Sequence, residues 1–256
     1  YYLDIYMKVI ILAGGKGTRL SEMTKIIPKP LVKIGKYPML IHIMKLYSKF
    51  GFKDFIICTG YKHLEFYSFF KNNYNINVIK NSKKEKSFKI LNKGWHVTLS
   101  YTGIETATAG RLLKIKKLLK NEKNFFLTYG DGIGNINIKK LLSFHCKKNT
   151  IATLTAVIPP LRFGEIKIKN DYITNFEEKK LNYNTWINGG FFVFNNNIFK
   201  YIKKFKSSLE SDVLTNLSKK KNLLAYRHYK FWHPMDNIRD RTNLLNLWLS
   251  GKAPWK

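Results

Sequence analysis

Several short segments of this 256-residue chain have the residue types and spacing that chemistry on phosphates requires. The run Leu12-Ala13-Gly14-Gly15-Lys16-Gly17-Thr18-Arg19 is one. Its glycines let a backbone approach a polyphosphate and aim its amides at it, while Thr18 and Arg19 add a hydroxyl and a permanent cation. In Pro28-Lys29-Pro30, prolines on both sides restrict the backbone and hold an ammonium with little entropy left to lose. Asp131 lies in Thr128-Tyr129-Gly130-Asp131-Gly132, and Asp236 ends Phe231-Trp232-His233-Pro234-Met235-Asp236. Two carboxylates brought together by a fold suit Mg²⁺, a hard cation that completes its shell with water and substrate phosphates. Each piece also has a plainer reading. Glycines punctuate strand ends, aspartate favours turns, and Asp236 could cap a helix opening at Asn237 and Ile238.

Such groups need a frame, and composition allows one. With 45% hydrophobic residues the chain can bury a full core, and its length suits a single domain over residues 7–256, with Tyr1 to Tyr6 as a leader outside the fold. No apolar run approaches the roughly 20 residues of a spanning helix, and the start lacks a basic region and cleavage site, so a cytoplasmic protein with no membrane partner is expected. Cys58 and Cys146, isolated in apolar segments, read as reduced core residues, and the histidines lack zinc-ligand spacing. The formal charge of +30 is the usual footprint of a nucleic-acid binder. Lysine is spread along the whole chain, however, which fits solvated faces, and no nucleic-acid partner is expected.

The frame itself is legible in the periodicity. Lys8–Leu12 reads as a buried strand entering a glycine turn, followed by a helix over 39–50, a strand over 55–58 and a helix over 63–70. Helices over 112–119 and 138–146 alternate with strands over 125–128 and 152–157. This order predicts an α/β fold: a doubly wound, mostly parallel (mixed) sheet with helices on both faces and ligands at the carboxyl ends of the strands. After Pro159-Pro160, short strands over 165–168, 172–176 and 190–194 fit an antiparallel addition to the sheet, and helices over 209–217 and 238–249 close the chain. The lysine-dense stretch 80–93 reads as a solvated loop or hairpin.

The glycine-rich loop ending in Thr18-Arg19, followed by Pro28-Lys29-Pro30, resembles the signature of the sugar-phosphate nucleotidyltransferase family, and the resemblance extends from Met7 to the C-terminus. It implies a nucleotide-diphospho-sugar transferase-like fold with Mg²⁺ as cofactor, and an assembly of identical chains. Lys29, Arg19 and Asp131 would carry the chemistry, and Leu12, Ala13, Gly14, Gly15, Gly17 and Thr18 would meet the nucleotide. Asp131 and Asp236 would share the metal. Glu178 and Lys179 would hold the sugar phosphate together with Asn188 and Gly189, although Lys180 replaces the proline of the family's Glu-Lys-Pro element. Segments such as Arg162-Phe163-Gly164 and Ile187-Asn188-Gly189-Gly190 resemble the branch that uses CTP and glucose 1-phosphate. Gly110 and Arg111 would then lie beside the base, with arginine donating to cytosine acceptors. Ala109 stands where a glycine is expected and could crowd the base, and Glu210-Ser211-Asp212-Val213-Leu214 departs from Glu-x-Glu-Pro-Leu. UTP, dTTP, GTP or another sugar 1-phosphate stay open as substrates, as does a catalytically silent nucleotide-binding module.

Overall fold

A computed structural model describes residues 7–160, 165–177 and 185–256. The leader expected at 1–6, the segment Arg162-Phe163-Gly164 and the pair Glu178-Lys179 lie outside the described residues. In chain order the first strands are β1 (Lys8–Leu12), β2 (Lys33–Ile34), β3 (Tyr37–Pro38), β4 (Asp54–Thr59), β5 (Ile76–Asn81), β6 (Glu85–Ile90), β7 (Trp95–Tyr101) and β8 (Asn124–Tyr129). They are followed by β9 (Gly132–Gly134), β10 (Ala152–Val157), β11 (Glu165–Lys169), β12 (Tyr172–Glu177), β13 (Ile187–Asn195), β14 (Leu223–His228) and β15 (Trp232–Pro234). The helices are α1 (Ser21–Thr24), α2 (Met39–Lys49), α3 (His63–Asn73), α4 (Thr108–Lys114), α5 (Ile138–Lys148), α6 (Thr215–Lys219) and α7 (Ile238–Leu249), with a π-helical turn, Leu209–Leu214, ahead of α6.

Nine strands make one sheet in the order β14-β10-β13-β8-β1-β4-β7-β6-β5. β1 pairs in parallel with β4 and β8, β4 with β7, and β10 with β14. β13 runs antiparallel to both β8 and β10, and β6 antiparallel to both β5 and β7. The doubly wound, mixed α/β sheet expected from the sequence is therefore present. Successive side chains of a strand point to opposite faces, and both faces here are covered. Val9 and Ile11 of β1 join a core with Ile43 of α2, Phe66 of α3 and Leu244 of α7. Ile10 and Leu12 join the opposite one, with Leu112 of α4, Val213 of the π turn and Leu217 of α6.

Three expectations are corrected. The short strands after Pro160 do not add to the sheet as a group: β13 is inserted between β8 and β10, while β11 and β12 pair only with each other among the described residues. β7 and β14 belong to the sheet although their periodicity did not mark them as strands. Cys146 is exposed, on the solvent side of α5, so only Cys58 is a core thiol. Burial pushes the Cys58 thiol up to about 12, against the pull of the nearby Arg111 guanidinium. The stretch around Lys80 forms the hairpin β5–β6 at the sheet edge. Among the described residues no helix is long and apolar enough to cross a membrane.

The C-terminal tail is locked onto α2 by a buried histidine. His42 Nε2 faces the Ile34 carbonyl at 2.9 Å, and Trp255 Nε1 donates to His42 Nδ1 at 3.3 Å. A neutral ring with its hydrogen on Nε2 satisfies both partners, whereas a second proton would face an indole donor. Burial pushes the His42 imidazole down to about 4, against the hydrogen bond to Ile34, and burial likewise pushes His145 down to about 4. A depressed folded pKa means that the unfolded chain takes up the proton first. The stability these rings contribute is therefore whole above the unfolded value of about 6.5 and is lost as pH falls toward about 4. Denaturant titrations should show unfolding free energy dropping by up to about 2 kcal/mol per histidine between neutral pH and pH about 5. A flat profile over that range, or one unchanged by His42→Gln, would refute the assignment.

Candidate active site

A cleft of about 760 Å³ opens where the polypeptide leaves β1, β7 and β8, at the carboxyl ends of neighbouring parallel strands. Leu12, Ala13, Gly14, Gly15, Gly17, Thr18, Arg19, Lys29, Arg111 and Asp131, all singled out from the sequence, line it together. The three loop glycines are there for different physical reasons. At Gly15 a Cβ would meet nothing within 4 Å, so bare backbone faces the open cleft. Gly17 has φ +66°, in the left-handed region, and its carbonyl accepts from Leu20 N at 3.0 Å to start the turn Thr18–Leu20. At Gly14 a Cβ would lie 2.0 Å from Arg111 Nη1, so the position is glycine because a guanidinium packs against it.

Lys29 begins a single 3-10 turn, Lys29–Leu31, after the extended Pro28. Its side chain is about nine-tenths buried, and Nζ donates to Asp131 Oδ2 at 2.7 Å and Asp236 Oδ1 at 2.9 Å. Arg19 Nη1 reaches the other oxygen of Asp236 at 3.1 Å. Residues far apart in sequence meet here because β15 pairs with β9, and Met235 N donates to Asp131 O at 2.8 Å, which stitches one carboxylate-bearing loop to the other. Asp236 does not cap α7: Asn237 does, in a reciprocal capping box with Asp240, and the Asp236 carboxylate is bound by Lys29 and Arg19 instead.

The Asp131 and Asp236 carboxylates converge on one ammonium. Their donor set is all hard oxygen, and a small hard cation takes one or two carboxylates plus water and phosphate oxygens. Among the described residues no group of three or more His, Cys, Asp or Glu converges.

Arg111 differs from its expected role. It is 5% exposed, and Nη1 donates to Thr102 Oγ1 at 2.7 Å, Gly103 O at 2.8 Å and Thr59 O at 3.2 Å. Nη2 donates to Gly14 O at 3.0 Å and Ile104 O at 3.2 Å. With its terminal donors on protein oxygens, the guanidinium ties the glycine loop to the 102–104 segment. Gly110 is turned away as well: a Cβ there would lie 1.9 Å from the Phe205 carbonyl, so glycine permits close packing between α4 and the 205–207 segment. Ala109 is fully buried in the core beside Leu112, and its methyl does not crowd the cleft.

Asn188 and Gly189 sit behind Tyr129. Asn188 Nδ2 donates to the Tyr129 hydroxyl at 3.2 Å, and Gly189 O accepts from Trp232 Nε1 at 2.8 Å. Tyr129 and Glu210 both line the cleft, and neither was assigned a role from the sequence. Tyr129 was visible only as a neighbour of Asp131, and Glu210 only as part of a segment that departs from a pattern.

The nucleotidyl transferase family model matches residues 8–236 of the chain. The glucose-1-phosphate cytidylyltransferase of Salmonella typhimurium is 42% identical over 254 residues, spanning 98% of this chain and 99% of that protein. Among solved structures, HddC from Yersinia pseudotuberculosis superposes with a TM-score of 0.69 at 20% identity, covering 94% of this chain and 99% of that one. The inositol-1-phosphate CTP transferase of T. maritima gives 0.66 at 16% identity, covering 96% and 97%. At such low identity these two likenesses speak for the fold.

Proposed function

The chain belongs to the nucleotidyl transferase family, and on that premise we propose that it transfers a cytidylyl group from CTP to glucose 1-phosphate, giving CDP-glucose and pyrophosphate. The observation that carries the reaction type is the meeting of Lys29, Arg19, Asp131 and Asp236 beside the bare backbone of Gly15. The relative at 42% identity supports the base and the sugar. A phosphate monoester is a dianion near neutral pH, so its oxygen can attack the α-phosphorus in line with pyrophosphate leaving opposite, and no general base is needed. The protein's part is positioning and charge. Gly15 and its neighbours present backbone amides to the triphosphate, and Lys29 and Arg19 neutralise it where charge accumulates. Asp131 and Asp236 would hold Mg²⁺, which supplies charge neutralisation between the phosphates when bound. Recognition of cytosine falls to the wall after β7, where Ile104, Glu105, Thr106 and Ala107 line the cleft and Arg111 fixes their backbone from behind.

The test is pyrophosphate release from glucose 1-phosphate with CTP, UTP, dTTP and GTP in turn. CTP is expected to exceed UTP by at least about tenfold in kcat/KM, since exchanging the N3 acceptor and amino donor for the reverse polarity leaves buried groups mismatched. Activity should vanish in EDTA and return with Mg²⁺. Equal rates with CTP and UTP would remove the cytidylyl assignment, and full activity in EDTA would remove the metal.

A further inference from the structure

Glu210 is the second residue of the π-helical turn that follows Ser208, and it lines the cleft. Its Oε1 accepts from the Tyr129 hydroxyl at 2.5 Å, and its Oε2 accepts from Thr108 Oγ1 and Ser208 Oγ, each at 2.8 Å. Each of the two aliphatic hydroxyls is already an acceptor elsewhere. Thr108 Oγ1 takes Leu209 N at 2.7 Å, and Ser208 Oγ takes Glu210 N and Ser211 N at 3.2 Å. Ser208 Oγ, already accepting two amides, has only its hydrogen left for Glu210 Oε2, and Glu210 as a carboxylate accepts from all three hydroxyls. Burial acts to raise this carboxyl, and the hydrogen bonds from Tyr129, Ser208 and Thr108 outweigh it and hold the group below its ordinary value.

The direction of the next bonds follows from that charge. Because Tyr129 donates to Glu210, its oxygen is left to accept, and it accepts from Asn188 Nδ2. Asn188 Oδ1 accepts from Gly190 N at 2.9 Å, which fixes which end of the amide is nitrogen. The Tyr129 ring cannot swing aside, since Gly190, at φ +75°, brings its backbone within contact and Phe192 packs edge-on at 5.5 Å. Among the described residues the second N–H of the amide meets no protein acceptor. Through Thr108, the same carboxylate reaches the first residue of α4, next to the wall assigned to the nucleotide.

We propose that Glu210 is a positioning residue for the sugar subsite, orienting the Asn188 amide toward a sugar hydroxyl through Tyr129 and tying that wall to the nucleotide wall through Thr108. The proposal rests on the proposed transfer to glucose 1-phosphate and on the expectation from the sequence that Asn188 meets the sugar. Glu210→Gln discriminates polarity from packing. It keeps the volume but offers an N–H donor, so Tyr129 can turn its hydrogen away and lose its acceptor role toward Asn188. The readout is KM for each substrate at saturating partner in wild type, Glu210→Gln, Tyr129→Phe and the double variant. The KM for glucose 1-phosphate should rise about tenfold in each single variant while that for CTP stays within about twofold. The double variant should be no worse than the poorer single one, because both cut one chain of bonds. Equal rises in both KM values, an unchanged KM for the sugar phosphate or additive losses would overturn the proposal. Tyr129→Phe leaves the cap of the π turn intact and carries the test if Glu210→Gln does not fold. A wild type that releases no pyrophosphate from glucose 1-phosphate would instead refute the reading on which this one stands.

Discussion

Lys29→Ala and Asp131→Asn are each expected to slow pyrophosphate release by at least about a hundredfold while the protein stays folded, since each removes a charge aimed at the reacting phosphates. The two act from opposite sides. Lys29 Nζ lies 2.7 Å from Asp131 and 2.9 Å from Asp236, so deleting it removes a phosphate-binding cation from between two carboxylates and leaves Arg19 alone on Asp236 among the cations named above. Asp131→Asn keeps the volume and removes one of the two charges able to hold Mg²⁺. Because Lys29 lies on a short turn outside the sheet, a thermal melt should move far less than the rate. Near wild-type turnover in both variants would remove the site from this cleft.

Arg111→Ala is expected to cost at least about 3 kcal/mol of stability and to raise the KM for the nucleotide together with it, because the carbonyls of Thr59, Gly103, Ile104 and Gly14 would lose a shared donor in a place water reaches poorly. Lysine at that position has one ammonium for partners spread around a planar fork, and Arg111→Lys should recover only a small part. Urea denaturation alongside substrate kinetics checks both effects. A variant of unchanged stability that has lost only its preference for CTP would restore the direct base contact suggested by the sequence.

Much of the frame could be read from the chain because a buried parallel strand such as Lys8–Leu12 is a continuous apolar run, and both it and Ala152–Val157 have their expected bounds. The last helix, Ile238–Leu249, also falls where periodicity put it, behind a cap encoded by Asn237 and Asp240. β7 was harder, since Trp95–Tyr101 interleaves His96, Thr98 and Ser100 with its apolar residues, and His96 and Thr98 find their partners on β6 and β4. Strand pairing was not legible at all for β13: nothing local says whether Ile187–Asn195 joins an edge or an interior position. The site shows the same division. Residue types named Lys29, Asp131 and Asp236, whose chemistry belongs to the side chain itself. They could not show that backbone carbonyls hold the Arg111 guanidinium or that Gly110 packs against Phe205, since those contacts depend on which backbone happens to stand opposite.

The interior position of β13 also sets an order of assembly. As the chain is made from its N-terminus, β8 and β10 both emerge before residues 187–195, and until then their edges are separated by a missing strand, a gap of about 10 Å. Both edges carry unsatisfied backbone groups through that interval. The strand that fills the gap is also the one that carries Asn188 and Gly189. A nascent chain can thus hold the glycine loop, Lys29 and Asp131 without a finished sheet, and the interior gap closes in the same event that delivers the wall beside Tyr129, before β14 adds at the edge.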